Sequence, residues 1–272
     1  DFAPQEYLIG IRPQTLILMG RDKLEPLRRQ VHLNGKLTYG PGLGATAASF
    51  DGTAFLAVPD CGLLDEQGTL EAWIHLPPTP SAGTGTILRL DGVEPWTYHR
   101  LERAEAANRI QYVTYDGTAS SWTASPDLEP GWHHVAATWS IATGTTELFV
   151  DGVSVGTSTY TLTTCAGATL HVGGLPGKTS PANAFVGGIA AVLISQTAHQ
   201  PKPETLMEPP AAQPETALLL TFDDEKQRLA DSSGRIPEGV LPDFWDDQGT
   251  CYAAYDFLER HCGVRWFNPT DS

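Results

Sequence analysis

The feature that most constrains the fold is a pair of alternating segments around the dipeptide Asp151-Gly152. Residues 131–140 and 146–155 alternate apolar with polar side chains, and the dipeptide interrupts the second segment. A type I′ turn needs positive φ at both central residues, which Asp tolerates and Gly adopts freely. Asp-Gly between alternating runs is therefore the strongest short-range signal for a β-hairpin. The stretch predicts a hairpin at the centre of an antiparallel sheet.

Similar signals recur along the chain and indicate an all-β sandwich. Asp-Gly pairs, each close to an alternating run, begin at Asp51, Asp91, Asp116 and Asp151. Several short strands at this spacing are typical of a β-sandwich. Within residues 69–75, successive side chains point to opposite faces of a strand. The set expected in the core is Leu70, Ala72 and Ile74, and the set expected to face solvent or a groove is Glu71, Trp73 and His75.

Five motifs in the same order resemble the laminin G-like, concanavalin A-type jelly rolls. They lie at residues 48–53, 69–74, 131–155, 170–174 and 185–189. The resemblance covers roughly residues 31–198 and implies an antiparallel β-sandwich of the jelly-roll type. It is specific for the fold and much less specific for a ligand.

The two ends of the chain carry signals of a different kind. Residues 7–11 and 15–19 are short apolar runs separated by Arg-Pro-Gln, which predicts a hairpin. At the other end, Thr250 is a good N-cap for a helix over about residues 251–261. Residues 249–267 resemble a segment of the small α/β domain that precedes the catalytic barrel in α-glucuronidase-like glycoside hydrolases. Because neither end could bury its apolar face alone, we expect both to form one domain into which the jelly roll is inserted.

The expected fold class is mainly β, an antiparallel β-sandwich jelly roll plus a small split α/β unit formed by both termini. Four regions are expected. Residues 1–24 are the first half of the split domain, 25–200 the laminin G-like sandwich, 201–239 a Pro-rich linker with the closing strand of the sandwich, and 240–272 the second half of the split domain.

The charge of the chain argues against two classes of partner. The formal net charge is −15, from 17 Lys and Arg against 32 Asp and Glu, which leaves little for a basic face that binds nucleic acid or an anionic membrane. No apolar run approaches the roughly 20 residues needed to span a bilayer.

The residues from Asp1 onwards do not have the pattern of a signal sequence, which is compatible with a cytoplasmic protein and with a mature secreted one. The resemblance favours a secreted, periplasmic or cell-surface bacterial protein.

A carbohydrate site is the binding function that the aromatic residues favour. Sugars are held by aromatic rings under their apolar faces, with planar hydrogen-bonding side chains beside them. Five residues that alternation does not clearly assign to the core are the candidates: Trp96, Tyr98, Arg100, Tyr112 and Trp122. The alternative for each aromatic residue is packing beneath a loop.

Calcium and a disulfide are two further expectations. Domains of the resembled family often hold calcium through Asp side chains, and the candidates here are Asp51, Asp91, Asp116 and Asp151. Each of these also has an explanation as a turn residue. Cys61 and Cys165 lie in expected loops of the jelly roll and are the candidate disulfide. Without a C-x-x-C pair, a structural zinc site is not expected.

Catalysis by this chain is not expected. It lacks the nucleophile elbow, zinc-protease, phosphate-loop and dinucleotide motifs, and Glu71 and Glu102 stand isolated rather than as a carboxylate pair. The sequence therefore favours a non-catalytic glycan-binding or scaffolding region of a glycoside hydrolase-like protein. Its partners would be a polysaccharide and a downstream catalytic barrel. The alternatives are a structural or protein-interaction module and a concave-face polysaccharide lyase or hydrolase.

Overall fold

The computed structural model describes most of the chain between residues 31 and 222 and a hairpin near the start. The described residues are 7–12, 15–20, 31–43, 46–59, 61, 66–92, 97–159, 168–177, 184–201, 208, 210–222 and 231–232, with the backbone alone described up to residue 20. The chain divides into two compact units, one formed by Asp1–Arg28 with Gly239–Ser272 and the other by Arg29–Glu238.

The first unit contains a β-hairpin. Strand β1 (Tyr7–Arg12) pairs antiparallel with β2 (Thr15–Gly20), with Tyr7 opposite Gly20 and Arg12 opposite Thr15. Two apolar runs broken by Arg-Pro-Gln form such a hairpin because proline cannot donate a ladder hydrogen bond within a strand. The helix expected over about residues 251–261 lies outside the described residues, so the split α/β domain stays a prediction.

The second unit is built from strands alone in its described part. They are β3 (His32–Asn34), β4 (Thr38–Pro41), β5 (Thr46–Asp51), β6 (Phe55–Val58), β7 (Gln67–Leu76), β8 (Gly85–Asp91), β9 (Thr97–Arg103), β10 (Arg109–Asp116), β11 (Ser120–Asp127), β12 (Gly131–Ser140), β13 (Thr145–Val150), β14 (Val153–Thr159), β15 (Thr169–Val172), β16 (Val186–Ser195) and β17 (Thr216–Thr221). No helix in the described ranges has the length and apolar character needed to cross a bilayer.

These strands form two antiparallel sheets. The seven-stranded sheet has the order β11-β10-β9-β8-β15-β6-β3, and the eight-stranded sheet has the order β14-β13-β12-β7-β16-β5-β4. Strand β17 pairs with β16 along Ala191–Ser195, beyond the part of that edge that pairs with β5. The chain crosses repeatedly between the sheets, as in a jelly roll. The prediction of a mainly β, antiparallel sandwich is therefore confirmed.

The central hairpin has the predicted turn. Asp151 and Gly152 have φ of 49° and 73°, so both central residues are left-handed, as a type I′ turn requires. The Asp151 carboxylate also accepts hydrogen bonds from the backbone N–H of His134 at 2.9 Å and from the His133 ring at 2.8 Å. These contacts fix the turn to the strand that precedes it.

The core lies between the two sheets. Leu70, Ala72 and Ile74 of β7 are fully buried there, as predicted from alternation. They pack with apolar side chains from the seven-stranded sheet, each worth about 1.5–3 kcal/mol when removed from water. Trp139 of β12 fills the space over Gly68, where even a Cβ would collide with the indole. Alternate residues of both sheets point away from this core and form two outer faces.

Candidate functional site

The outer face of the seven-stranded sheet carries a set of polar and aromatic side chains that we call the open face. It is defined by Arg89, Asp91, Tyr98, Arg100, Glu102, Tyr115 and Trp122. Alternation places them outward because their neighbours along each strand point into the core. Arg89 on β8 lies opposite Arg100 on β9. Across the next two strand pairs, Arg100 lies opposite Val113 on β10, and Val113 lies opposite Trp122 on β11. Residues distant in sequence are thus brought into one row.

Trp122 is the most accessible aromatic side chain of this face. Its relative exposure is 63%, and it shares this degree of exposure with Val153 among the described large apolar residues. An indole left in water on a sheet surface contributes nothing to the core, so its ring is free to stack on a ligand. The sequence-based choice of Trp122 as an accessible aromatic residue agrees with this position.

Tyr98 is held by its neighbours on both flanking strands. The guanidinium of Arg89 lies over its ring at 4.1 Å from the centroid, and that of Arg100 at 5.4 Å. The ring of Tyr115, directly opposite on β10, is 5.5 Å away between centroids. The Tyr98 ring is therefore already in contact with side chains of the protein on more than one side. Tyr115 was not among the sequence candidates, although its pairing with Tyr98 follows from the β9–β10 hairpin.

Each arginine of the open face is paired with a carboxylate on its own strand. Arg89 donates from Nε to the Oδ1 of Asp91 at 2.7 Å, and the second Asp91 oxygen lies 3.0 Å from His171. The Arg100 Nε lies 2.7 Å from one Glu102 oxygen, and another nitrogen of the guanidinium donates a hydrogen bond of 3.2 Å to the other oxygen. Each arginine of the open face therefore has a carboxylate partner two residues further along its strand.

The two carboxylates respond differently to burial. Burial acts to raise the pKa of Asp91, but the contacts with His171 and Arg89 outweigh it, so that pKa lies below its ordinary value. For Glu102 burial dominates, and the pKa is raised despite the charge of Arg100. The charged partners thus set the direction of the Asp91 pKa shift, whereas burial sets that of Glu102.

Tyr112 was wrongly assigned to the ligand-binding set. It points to the inner face of β10, is 1% exposed, and shares a hydrogen bond of 2.6 Å with the His99 ring. Burial lowers the pKa of His99 to about 4, so the imidazole there is neutral at physiological pH. The outward positions next to Tyr112 on β10 are Gln111 and Val113. Trp96, the remaining candidate, lies outside the described residues.

The four aspartates proposed for calcium are each occupied by local contacts. Asp51 accepts bonds from the backbone and side chain of Thr53, and Asp116 from Thr118 and Ala119. Asp91 and Asp151 hold the arginine and histidine contacts given above. Across the described part of the chain, no group of three or more His, Cys, Asp or Glu side chains could hold a metal ion. The structure thus does not bring these aspartates together, and each fits its reading as a turn or ion-pair residue.

Cys61 is fully buried, and its backbone N–H bonds to the carbonyl of Ala168 at 3.3 Å. Its expected partner, Cys165, lies outside the described residues, so the disulfide stays a prediction.

The outer face of the eight-stranded sheet, which we call the covered face, is buried. It is defined by Glu71, Trp73, His134, Ala191, Leu193 and Leu219, none of which is more than 7% exposed. Its apolar members form a second cluster separate from the core between the sheets. The expectation that Glu71 and Trp73 face solvent or an open groove is therefore wrong.

A histidine–glutamate–histidine group lies at the centre of the covered face. Glu71 contacts the His134 ring at 2.9 Å through one oxygen and the His199 ring at 3.0 Å through the other. Burial acts to raise the pKa of Glu71, but the two hydrogen bonds outweigh it and lower that pKa to about 2. The bond to Glu71 in turn raises the pKa of His199. Glu71 is thus not isolated, and its contacts tie the segment after β16 to the sheet.

Comparisons with known proteins agree with this architecture. A laminin G-type family model, described as the concanavalin A-like lectin/glucanases superfamily, matches residues 50–202, more than half of the chain. No curated protein sequence matches the chain.

Two solved structures share the fold. A candidate carbohydrate-binding protein from Bacteroides ovatus is 19% identical with a TM-score of 0.54, covering 70% of this chain and 56% of its own length. Domain 4 of the extracellular arabinanase AbnA from Geobacillus stearothermophilus, in complex with arabinotriose, is 16% identical with a TM-score of 0.50, covering 65% of this chain and 86% of its own. At these identities the likeness concerns the fold. The sandwich topology and the family match together place this chain in the concanavalin A-like lectin/glucanases superfamily.

Proposed function

We propose that this chain is a non-catalytic carbohydrate-binding module and that its open face is the glycan-binding surface. The observation that carries the proposal is the exposed indole of Trp122 in the same row as the ion-paired Arg100. An aromatic ring can lie under the apolar face of a sugar while planar polar side chains bond its hydroxyls. Trp122 supplies the accessible ring, and Arg100 supplies the planar polar side chain.

The comparisons support a carbohydrate ligand at the level of the fold. The two similar structures are described by their names as a candidate carbohydrate-binding protein and as an arabinanase domain in complex with arabinotriose. Neither shares enough sequence for its binding residues to be transferred. The site is therefore argued from the side chains of this chain alone.

The carboxylates of the open face favour binding over hydrolysis. Asp91 lies opposite Tyr98, and Glu102 lies four residues further along β9, a distance of about 13 Å along the strand. Glycosidases place their two carboxyl groups about 5–10 Å apart across the scissile bond. Both groups are also held by arginines on the sheet. This arrangement does not favour a lyase or hydrolase on this face.

The wider setting is also part of the proposal. The resemblance of residues 249–267 to glycoside hydrolases supports a bacterial protein in which the jelly roll is inserted in a split α/β domain. In that setting a catalytic barrel follows in the same polypeptide, and the protein is secreted, periplasmic or on the cell surface.

The test compares two exposed apolar residues. Trp122→Ala removes the indole, and Val153→Ala, at 62% exposure on β14 of the other sheet, is the matched control. In affinity gels containing a panel of polysaccharides, we expect Trp122→Ala to weaken retention about tenfold or more, as for a central aromatic contact. Val153→Ala should be retained like the wild type. Equal retention of both variants would overturn the assignment of the open face.

A further inference from the structure

Two like charges face each other at the centre of the open face. Arg89 and Arg100 are directly opposite on β8 and β9, and both guanidiniums lie near the Tyr98 ring. Like charges in this cross-strand position are ordinarily destabilising. The sheet tolerates them because each arginine is neutralised two residues further along its own strand, by Asp91 and by Glu102.

The pairing decides what the arginines can still bind. A guanidinium has five N–H donors, and a carboxylate has about four lone-pair sites. Arg100 donates one hydrogen bond to Glu102, and its side chain is 23% exposed, whereas the Glu102 side chain is only 4% exposed. In the Arg89–Asp91 pair both side chains are partly exposed, at 16% and 32%. The two pairs therefore present guanidinium donors with little net charge, and Asp91 adds a partly exposed acceptor, which suits a hydroxyl group acting as both donor and acceptor.

An anionic sugar would meet a different surface. A carboxylate or sulfate approaching Arg89 or Arg100 must compete with Asp91 or Glu102 for the same guanidinium. Leaving a displaced carboxylate without its partner is costly where the surface is partly desolvated. The formal net charge of −15 adds a long-range repulsion for a polyanion.

We propose that the open face binds neutral glycans and discriminates against uronic-acid and sulfated glycans, because the Arg89–Asp91 and Arg100–Glu102 pairs cancel their own charge. This inference rests on the function proposed above and narrows its ligand class. The two pairs act on hydroxyl groups, and Trp122 supplies the stacking surface.

The experiment uses probes that differ in charge but share a backbone. Affinity gels would contain dextran or dextran sulfate, and polygalacturonate or its methyl ester, together with a panel of neutral plant polysaccharides, at about 0.05 M and about 0.5 M NaCl. We expect retention by at least one neutral polysaccharide, unchanged by salt and lost in Trp122→Ala. The charged member of each pair should retain the wild type at least tenfold less than its neutral counterpart or not at all.

Variants that free the arginines give a second, independent readout. Asp91→Asn and Glu102→Gln keep the side-chain shape but remove the neutralising charge. Both should gain salt-sensitive retention by the acidic probes while losing part of the neutral retention. Asp91 is the more exposed of the two, so its variant tests the idea even if Glu102→Gln folds poorly.

The outcomes separate the two proposals. Stronger, salt-sensitive retention of the wild type by an acidic probe, lost in Trp122→Ala, would overturn the neutral-ligand inference and leave glycan binding intact. Asp91→Asn and Glu102→Gln variants that show no gain for acidic probes would also count against the inference. No retention by any probe, neutral or charged, would overturn the proposed function itself and the inference with it.

Discussion

The two outer faces of the sandwich arise from the same alternation of side chains, but one is exposed to solvent and the other is buried. On the open face, Trp122 is 63% exposed, and Arg89, Asp91 and Arg100 are partly exposed. On the covered face, Trp73 is 5% exposed and Glu71 is 5% exposed, and apolar residues of β16 and β17 surround them. Both faces carry a tryptophan and a glutamate, yet only the tryptophan of the open face can meet a ligand.

The comparison shows that burial determines which partners a carboxylate needs. A carboxylate in a buried place must have partners for both oxygens, and Glu71 has His134 and His199. On the open face Asp91 is 32% exposed, whereas Glu102 is 4% exposed and has Arg100 as its partner. The covered face therefore contributes to the stability of the fold, whereas the open face exposes side chains that a ligand can contact.

The largest expected effect is the loss of stability in Trp73→Ala. The indole is buried in the second apolar cluster and lies 4.6 Å from the His134 ring between centroids. Truncating it should cost about 3–5 kcal/mol, because a large buried aromatic leaves a cavity. Trp122→Ala, the same substitution on the open face, should change stability by no more than about 0.5 kcal/mol.

Urea unfolding of both variants measures this difference in stability, because a shift of the midpoint at an unchanged m-value reports a change in the free energy of unfolding. Trp122→Ala serves as the control because the residue removed is identical. Similar midpoints for the two variants would show that the covered face is not packed as described. In that case the comparison between the faces would be lost.

The next effect concerns a buried carboxylate. Glu71→Ala should destabilise the protein by about 3 kcal/mol, because it leaves the His134 and His199 rings without their acceptor in a desolvated place. The matched change on the seven-stranded sheet is Asp127→Ala, which breaks the exposed ion pair with Arg109. That variant should lose no more than about 1 kcal/mol. A loss in Glu71→Ala as small as in Asp127→Ala would contradict the pairing.

A smaller effect depends on pH and on His199. The His199 pKa is raised, so its contribution to stability is present below the pKa of the unfolded chain and is lost as pH rises through the folded pKa. The Glu71 pKa is lowered to about 2, so its contribution is present above the unfolded pKa and is lost as pH falls towards 2. The pair is therefore most stabilising between the ordinary pKa of glutamate and the ordinary pKa of histidine, and its stabilisation falls as pH rises further through the raised pKa of His199.

His199→Gln tests this window. The difference in Tm between the wild type and this variant should be largest in mildly acidic solution and should shrink as pH rises from about 6 to about 9. Asp127→Ala, which breaks an exposed ion pair on the other sheet, serves again as the control. A difference in Tm that grows with pH would mean that His199 is not held by the Glu71 carboxylate.

Much of the sandwich could be predicted because its signals are local. The turn at Asp151-Gly152 follows from the φ values that only a few residue types tolerate. The burial of Leu70, Ala72 and Ile74 follows from the two-residue period of a strand. Such features need no knowledge of the remainder of the chain.

The site was predicted less well because it depends on distant contacts. Tyr112 and Tyr115 lie three residues apart on one strand, and the sequence does not show which of them points inwards until the register is known. Glu71 looked isolated because its partner His134 lies 63 residues away. The burial of Glu71 also depends on His199, which lies after β16, far along the chain.

The smallest expected effect lies at the edge of the open face, in the turn between β10 and β11. The Asp116 Oδ1 accepts hydrogen bonds from the backbone N–H groups of Thr118 at 2.8 Å and Ala119 at 2.9 Å, and from the Thr118 hydroxyl at 2.7 Å. Asp116→Ala should therefore cost about 1 kcal/mol, and Asp116→Asn, which keeps the acceptor oxygen, should recover most of that stability.

A calcium ligand would behave differently, because the neutral amide is a weaker ligand for a hard cation and the loss would then depend on added calcium. Thermal unfolding of the three proteins with calcium and with a chelator separates these readings. Recovery in Asp116→Asn without any calcium dependence would fix Asp116 as a turn residue that holds the strand carrying Trp122, whereas a calcium-dependent loss in both variants would restore the metal site.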